Sequence, residues 1–212
     1  MTRVLRPACA LAFAVAVAAC SAGPERKAAA PTAESPPTNA RDPQATYEPR
    51  SAPGAGQQWL ARLAGDFDVQ KTFHPRDGGA PAISRGTCRQ TMVHGGRFLQ
   101  AEFTFAAADG ATTGPTTGTG VIGFDPATGR FTSFWFDSRS TRFSVRQSEG
   151  AFEHDELVLW SRAVGEDASG RRSRTATRID ADGQHVQHRQ WSVAADGSER
   201  LVMELLLARR GG

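Results

Sequence analysis

The chain has 212 residues, with 25 Lys plus Arg against 22 Asp plus Glu and a formal net charge of +3. That charge invites a nucleic-acid reading, but from Gln57 onward 19 basic residues stand against 18 acidic ones. The foldable part is thus near neutral and lacks the basic stripe a phosphate backbone requires, so nucleic acid is excluded as a partner.

Residues 1–19 read as a signal peptide. Arg3 and Arg6 form a basic head, and Ala8 to Ala19 is an apolar run too short to span a bilayer comfortably. Val17-Ala18-Ala19-Cys20 ends it in the pattern of a bacterial lipoprotein signal. On that reading the Cys20 thiol carries the lipid and becomes the first residue of the mature chain. Each buried methylene contributes about 0.8 kcal/mol, so two or three acyl chains anchor the protein to the bilayer where one would not. Ordinary secretion, with cleavage after Ala16 or Ala18, is the alternative. Ser21 after the cysteine, as in Gram-negative lipoproteins, directs the chain to the outer membrane facing the periplasm.

Residues 20–56 follow as a tether: Pro24, Pro31, Pro36, Pro37, Pro43, Pro49 and Pro53 lie among Ala, Ser, Thr and mixed charges, with little to bury. Residues 57–212 form the folded domain. Trp59, Leu60 and Leu63 fall at helical spacing before Gly65, which predicts one short helix over Gln57–Leu63. Thereafter ten short runs alternate apolar and polar residues: 66–73, 84–93, 97–105, 118–124, 130–136, 142–148, 152–160, 172–179, 184–193 and 200–208. Between them stand turn signals such as Gly95-Gly96, Asp109-Gly110, Asp125-Pro126, Asp182-Gly183 and Asp196-Gly197. Strands joined by hairpins without intervening helices cannot build a parallel sheet. An all-β, up-and-down antiparallel barrel of eight to ten strands, capped by the helix, removes the sheet edges.

Three segments carry a resemblance: LAGDFDV, VHGGRFLQAEF and GTGVIGFDPATGRFTSFWFDSRST. Through them Leu63 to Arg209 resembles an uncharacterised bacterial domain family described as lipocalin-like, or calycin-like, and of unknown function. The resemblance implies a closed or nearly closed barrel with a cavity for a small ligand, and no reaction. Phe67 stands where that family usually has tryptophan.

The alternation of Leu99, Ala101, Phe103 and Phe105 against Gln100, Glu102 and Thr104 gives one strand an apolar face. Leu99, Ala101 and Phe103 on that face, with Trp135 and Asp137 of FWFDSRST, where a polar corner at the barrel mouth follows the aromatics, are the candidate ligand-binding residues, with Ala101 too small to fill the space beside two aromatics. A structural alternative makes Trp135 core and leaves Asp137 and Ser138 to turn bonds. Arg172, Arg174 and Arg178 share one strand face; inward they would draw an anionic head group, but charge normally stays outside a barrel and the outward placement is favoured.

His185 and His188, three apart on a strand, point to opposite faces and cannot both ligate one metal. A histidine as axial haem ligand, as in distantly related barrels, ranks below a surface role for all five. No metal and no cofactor is expected. Cys9 leaves with the signal, so Cys88 has no disulfide partner and reads as buried packing. Glycine-rich phosphate loop, nucleophile elbow and HExxH are all missing, Glu153, Asp155 and Glu156 read as a solvated edge, and catalysis is not expected. The expected function is a non-catalytic envelope lipoprotein binding an apolar or amphiphilic small molecule. The alternative is a barrel filled by its own side chains that contacts other envelope components.

Overall fold

The computed structural model describes residues 42–48, 50–107, 114–149, 156–162 and 172–211. The expected signal segment 1–19, Cys20 and residues 21–41 lie outside the described residues, as do Asp109-Gly110, Glu153, His154 and Asp155. Contacts divide the chain into two units, 1–49 and 50–212. Within the first, Pro43–Thr46 forms a 3-10 turn whose preceding Asp42 accepts a hydrogen bond from Gln44 N at 3.1 Å. That stretch of the expected tether therefore carries local structure.

In the second unit a short helix, α1 (Ala55–Ala61), precedes ten strands: β1 (Gly65–Phe73), β2 (Ala82–Val93), β3 (Phe98–Phe105), β4 (Thr116–Asp125), β5 (Arg130–Asp137), β6 (Ser144–Gln147), β7 (Glu156–Arg162), β8 (Arg172–Ile179), β9 (His185–Val193) and β10 (Glu199–Arg209). Every strand pairs antiparallel with its neighbours in sequence, and β1 closes on β10 from Phe67↔Arg209 to Phe73↔Met203. The barrel thus has ten strands and no open edge, which satisfies the backbone groups an open sheet would leave unpaired.

α1 starts two residues earlier than the apolar spacing suggests. The reason is a cap: Gln57 Oε1 accepts from Gly54 N at 2.9 Å, and Gln57 Nε2 donates to Phe124 O at 3.0 Å, so one side chain both starts the helix and ties it to β4. Gly56 lies so close to Phe124 that an added Cβ would stand 2.2 Å from the ring, so only glycine permits this approach. Trp59 meets Phe131 edge-on with centroids 6.0 Å apart, and Phe131 meets Phe124 at 4.8 Å. Leu60, Phe67 and Phe131 are fully buried and Leu63, Cys88 and Leu99 nearly so, making this end of the barrel a packed base. Arg209 locks it, donating to Ala64 O at 2.6 Å and Arg62 O at 3.1 Å, beyond the end of α1, and to Gly183 O at 3.0 Å.

The GGRF segment is a structural device. His94, Gly95 and Gly96 turn at φ 51°, 66° and 82°, a left-handed run that glycine makes cheap. Arg97 then donates to His94 O at 3.0 Å and to Ser51 O at 2.6 Å, holding the segment before α1 against the turn.

Candidate functional site

Inward-facing positions change character from base to mouth. On the β3–β5 wall they run through Ala101, Phe103 and Phe105, Gly118 and Gly120, then Ser133, Trp135 and Asp137. On the β6–β9 wall they are mostly polar, and many are small. Small side chains cannot fill a ten-stranded barrel, and a chamber of about 420 Å³ remains between the two walls.

The apolar wall is built around Trp135. Gly118 and Gly120 pair with Asp137 and Trp135 across the β4–β5 ladder, and the indole lies over both glycines. Phe103 meets the indole edge-on at 5.6 Å and stacks with Phe105 at 6.0 Å. The indole Nε1 donates to Asp137 Oδ2 at 3.1 Å, while Asp137 Oδ1 accepts from Arg139 N at 2.9 Å. Ser138 Oγ accepts from Thr117 N at 3.1 Å. Asp137 therefore makes the turn bond that its order suggested, Ser138 instead ties across to β4, and Trp135 lines the chamber as well as packing. Both carboxylate oxygens of Asp137 are already engaged.

Ala101, Phe103, Trp135 and Asp137 all line the chamber, the first two on the face that the β3 alternation marked out. Leu99 does not. It faces inward one step deeper, 1% exposed in the packed base, because the base residues fill the barrel at that level. The three arginines Arg172, Arg174 and Arg178 alternate with inward Ser173, Thr175, Thr177 and Ile179 and so face outward. Arg172 lies over Trp160 at 4.5 Å and pairs with Glu149; Arg174 lies over Trp191 at 3.9 Å and holds Glu199 through two bonds of 2.7 and 2.6 Å.

The polar wall holds what the sequence reading missed. Arg146 points inward between Ser133 and Ser161 of the flanking strands. Its Nε is fully enclosed with no hydrogen-bond partner, and no described carboxylate pairs with it. Burial pulls its pKa below the usual arginine value. His188, expected at the surface, also faces the chamber, with Nδ1 2.8 Å from Thr177 Oγ1. Burial, aided by the charge of Arg146, pushes its pKa down to about 4, so the ring is neutral at pH 7. At the mouth, the Lys71 ammonium lies 3.9 Å over the Phe105 ring; burial first, then Arg139, lowers its pKa, against the pull of Asp137.

His185 faces outward, on the opposite side from His188. At the β8–β9 turn its ring, Asp180 and Asp182 come within 4.8 Å of one another. These groups already serve the turn: Asp180 accepts from His185 N at 3.0 Å and lies 2.8 Å from its Nδ1, while Asp182 accepts from Gln184 N at 2.8 Å. Cys88 is buried, and burial pushes its thiol up to about 12, which leaves it unreactive as expected.

A family profile described as "Protein of unknown function (DUF1579)" matches residues 52–209. No curated protein matches the chain. Among solved structures it is similar to the crystal structure of Rv2717c from M. tuberculosis, with a TM-score of 0.54 and 15% identity, over 76% of this chain and 100% of that one. At that identity the likeness is one of fold.

Proposed function

The chain belongs to the DUF1579 family of proteins of unknown function, and for this member we propose a lipid-anchored, non-catalytic barrel that holds an apolar or amphiphilic small molecule, in the manner of a lipocalin-like domain. The observation that carries the reading is the chamber of about 420 Å³ with Phe103, Phe105 and Trp135 on one wall. Its size falls in the range of small-molecule sites, roughly 300–1,000 Å³. A barrel filled by its own side chains would leave no such space. The signal-like residues 1–19 and Cys20 support an envelope address with the domain held on a tether near the membrane.

The test is binding of the apolar fluorophore N-phenyl-1-naphthylamine to the folded domain. Ala101 lines the chamber between Gln90 and Gly120 of the adjacent strands, so Ala101→Phe fills space beside Trp135. It is expected to weaken the probe at least tenfold, about 1.4 kcal/mol, with melting measured alongside because overpacking costs about 1–3 kcal/mol. Failure of the wild type to bind the probe refutes the binding reading. For the address, Cys20→Ser should release the chain from the membrane fraction; a wild type that is soluble and unacylated refutes the anchor.

A further inference from the structure

We propose that the molecule held in the chamber is an amphiphilic organic anion, its oxyacid head on Arg146 and its apolar part against Phe103, Phe105 and Trp135. The inference rests on the small-molecule binding reading above and names the chemical class of the ligand.

The residues lining the chamber include three basic side chains, Lys71, Arg139 and Arg146, and one carboxylate, Asp137. That carboxylate accepts from Trp135 Nε1 and Arg139 N and makes no ion pair with the deeper guanidinium. A buried cation without a counter-ion is unfavourable unless something else supplies the charge, and buried arginines are ordinarily paired. Arg146 has no such partner among the described residues, and its Nε lacks even a neutral acceptor. Yet the outward arginines Arg172, Arg174, Arg189 and Arg210 all find carboxylates. Among the described residues these outward arginines are thus paired where water screens them, whereas the inward Arg146 is not.

The position of Arg146 relative to the aromatic wall suits an amphiphile. Across β5–β6, Ser133 faces Arg146 and Trp135 faces Ser144, so Arg146 lies one inward step deeper than the indole. Two residues along a strand span about 7 Å. A ligand entering head first would set its anionic group among the hydroxyls of Ser133, Thr175 and Thr177 while its apolar part rests on the aromatic wall nearer the mouth. Lys71 and Arg139 at the mouth draw an anion inward. A planar guanidinium suits a two-oxygen head, and charge-assisted bonds of this kind are about twice as strong as neutral ones.

The experiment compares sodium decanoate, 1-decanol and inorganic phosphate by displacement of N-phenyl-1-naphthylamine and by titration calorimetry, using the folded chain. Decanoate should bind at least tenfold tighter than decanol, and phosphate alone at least tenfold weaker than decanoate. Arg146→Met should bring decanoate and decanol within twofold of each other, whereas Arg146→Lys should keep part of the preference. The wild-type comparison does not depend on either variant folding. Equal binding of decanoate and decanol overturns the anion assignment while leaving the small-molecule reading intact. Phosphate as tight as decanoate makes Arg146 a site for free anions and overturns the amphiphile. If neither decanoate, decanol nor the fluorophore binds, the small-molecule reading fails and this inference with it.

Discussion

Gly118→Ala should damage this barrel far more than Gly120→Ala, although the two glycines lie two residues apart on the same strand and face. Neither has a left-handed backbone that would itself demand glycine. The difference is the indole. A Cβ on Gly118 would stand 2.5 and 2.6 Å from Trp135 Cζ2 and Cη2, while one on Gly120 would stand 3.4 Å from Cε3 and 3.9 Å from the Ala101 methyl. Restoring carbon contacts of about 3.5 Å requires the ring to retreat by about 1 Å. The edge that must move carries Nε1, whose bond to Asp137 is 3.1 Å and would stretch to about 4 Å, past useful length. Overpacking costs about 1–3 kcal/mol and the lost bond about 0.5–1.5 kcal/mol. Replacing a strand glycine by alanine returns about 0.5–1 kcal/mol. The net expectation is a loss of about 1–3 kcal/mol for Gly118→Ala, or a melting temperature lower by about 2–12 °C for a domain of this size. Gly120→Ala should be neutral or slightly stabilising. Denaturant unfolding of both variants, and of Gly118→Ala combined with Trp135→Phe, decides the matter. The phenyl ring lacks the clashing atoms, so the double mutant should recover at least about 1 kcal/mol relative to additivity. Equal melting of the two alanine variants, or an additive cycle, refutes the indole-over-glycine explanation.

Phe131→Ala removes a fully buried ring that touches both Trp59 and Phe124, and should cost about 3–5 kcal/mol, measured by denaturant unfolding. His188 gives a pH signature. Its folded pKa of about 4 lies below the unfolded value near 6.5, so the unfolded chain takes up the proton first as the pH falls. That part of the stability is fully present above pH 6.5 and is lost progressively down to pH 4, by about 2–3 kcal/mol. The charged groups sharing its chamber are Arg146 from β6, Lys71 from β1, and Asp137 and Arg139 at the mouth. His188→Gln should flatten the stability profile between pH 4 and 6.5; a slope unchanged by the substitution contradicts the burial of this ring. Below that window Asp180, held down to about 2 chiefly by its bond from His185 N, adds a separate loss as the pH falls from about 4 to 2. Finally, Arg146→Met should raise the stability of the ligand-free domain by at least about 1 kcal/mol, since it removes a guanidinium whose Nε is enclosed without a partner. A lower melting temperature would mean that the guanidinium is held by the fold itself.

Secondary structure was written locally. Alternating residues such as Leu99, Ala101, Phe103 and Phe105, and corners such as Asp182-Gly183, specify strand and turn through sterics that act within a few residues, so all ten strands lie within a few positions of their expected ends. The inward set of β3 was equally legible, because one face was apolar and the other polar. β5 and β6 were not legible in this way. In FTSFWFD both faces carry aromatics, and in SVRQ the apolar Val145 alternates with Arg146. Pattern alone would turn Val145 inward and Arg146 out. Closure reversed that order. Trp135 must lie over Gly118 and Gly120, which turns Ser133 inward and leaves Phe134 and Phe136 about half exposed on the outer wall. Register then carries the same sense to Arg146, opposite Ser133, and through β7 and β8 to His188, opposite Thr177. Leu99 shows the other limit: periodicity fixed its face, but only the packing of α1 and its neighbours decided that its level of the barrel is filled. A side chain's face is set by local alternation where polarity is clear. Where it is not, the face follows from the register passed from one strand to the next around the closed barrel, and so does the placement of an unpaired arginine inside it.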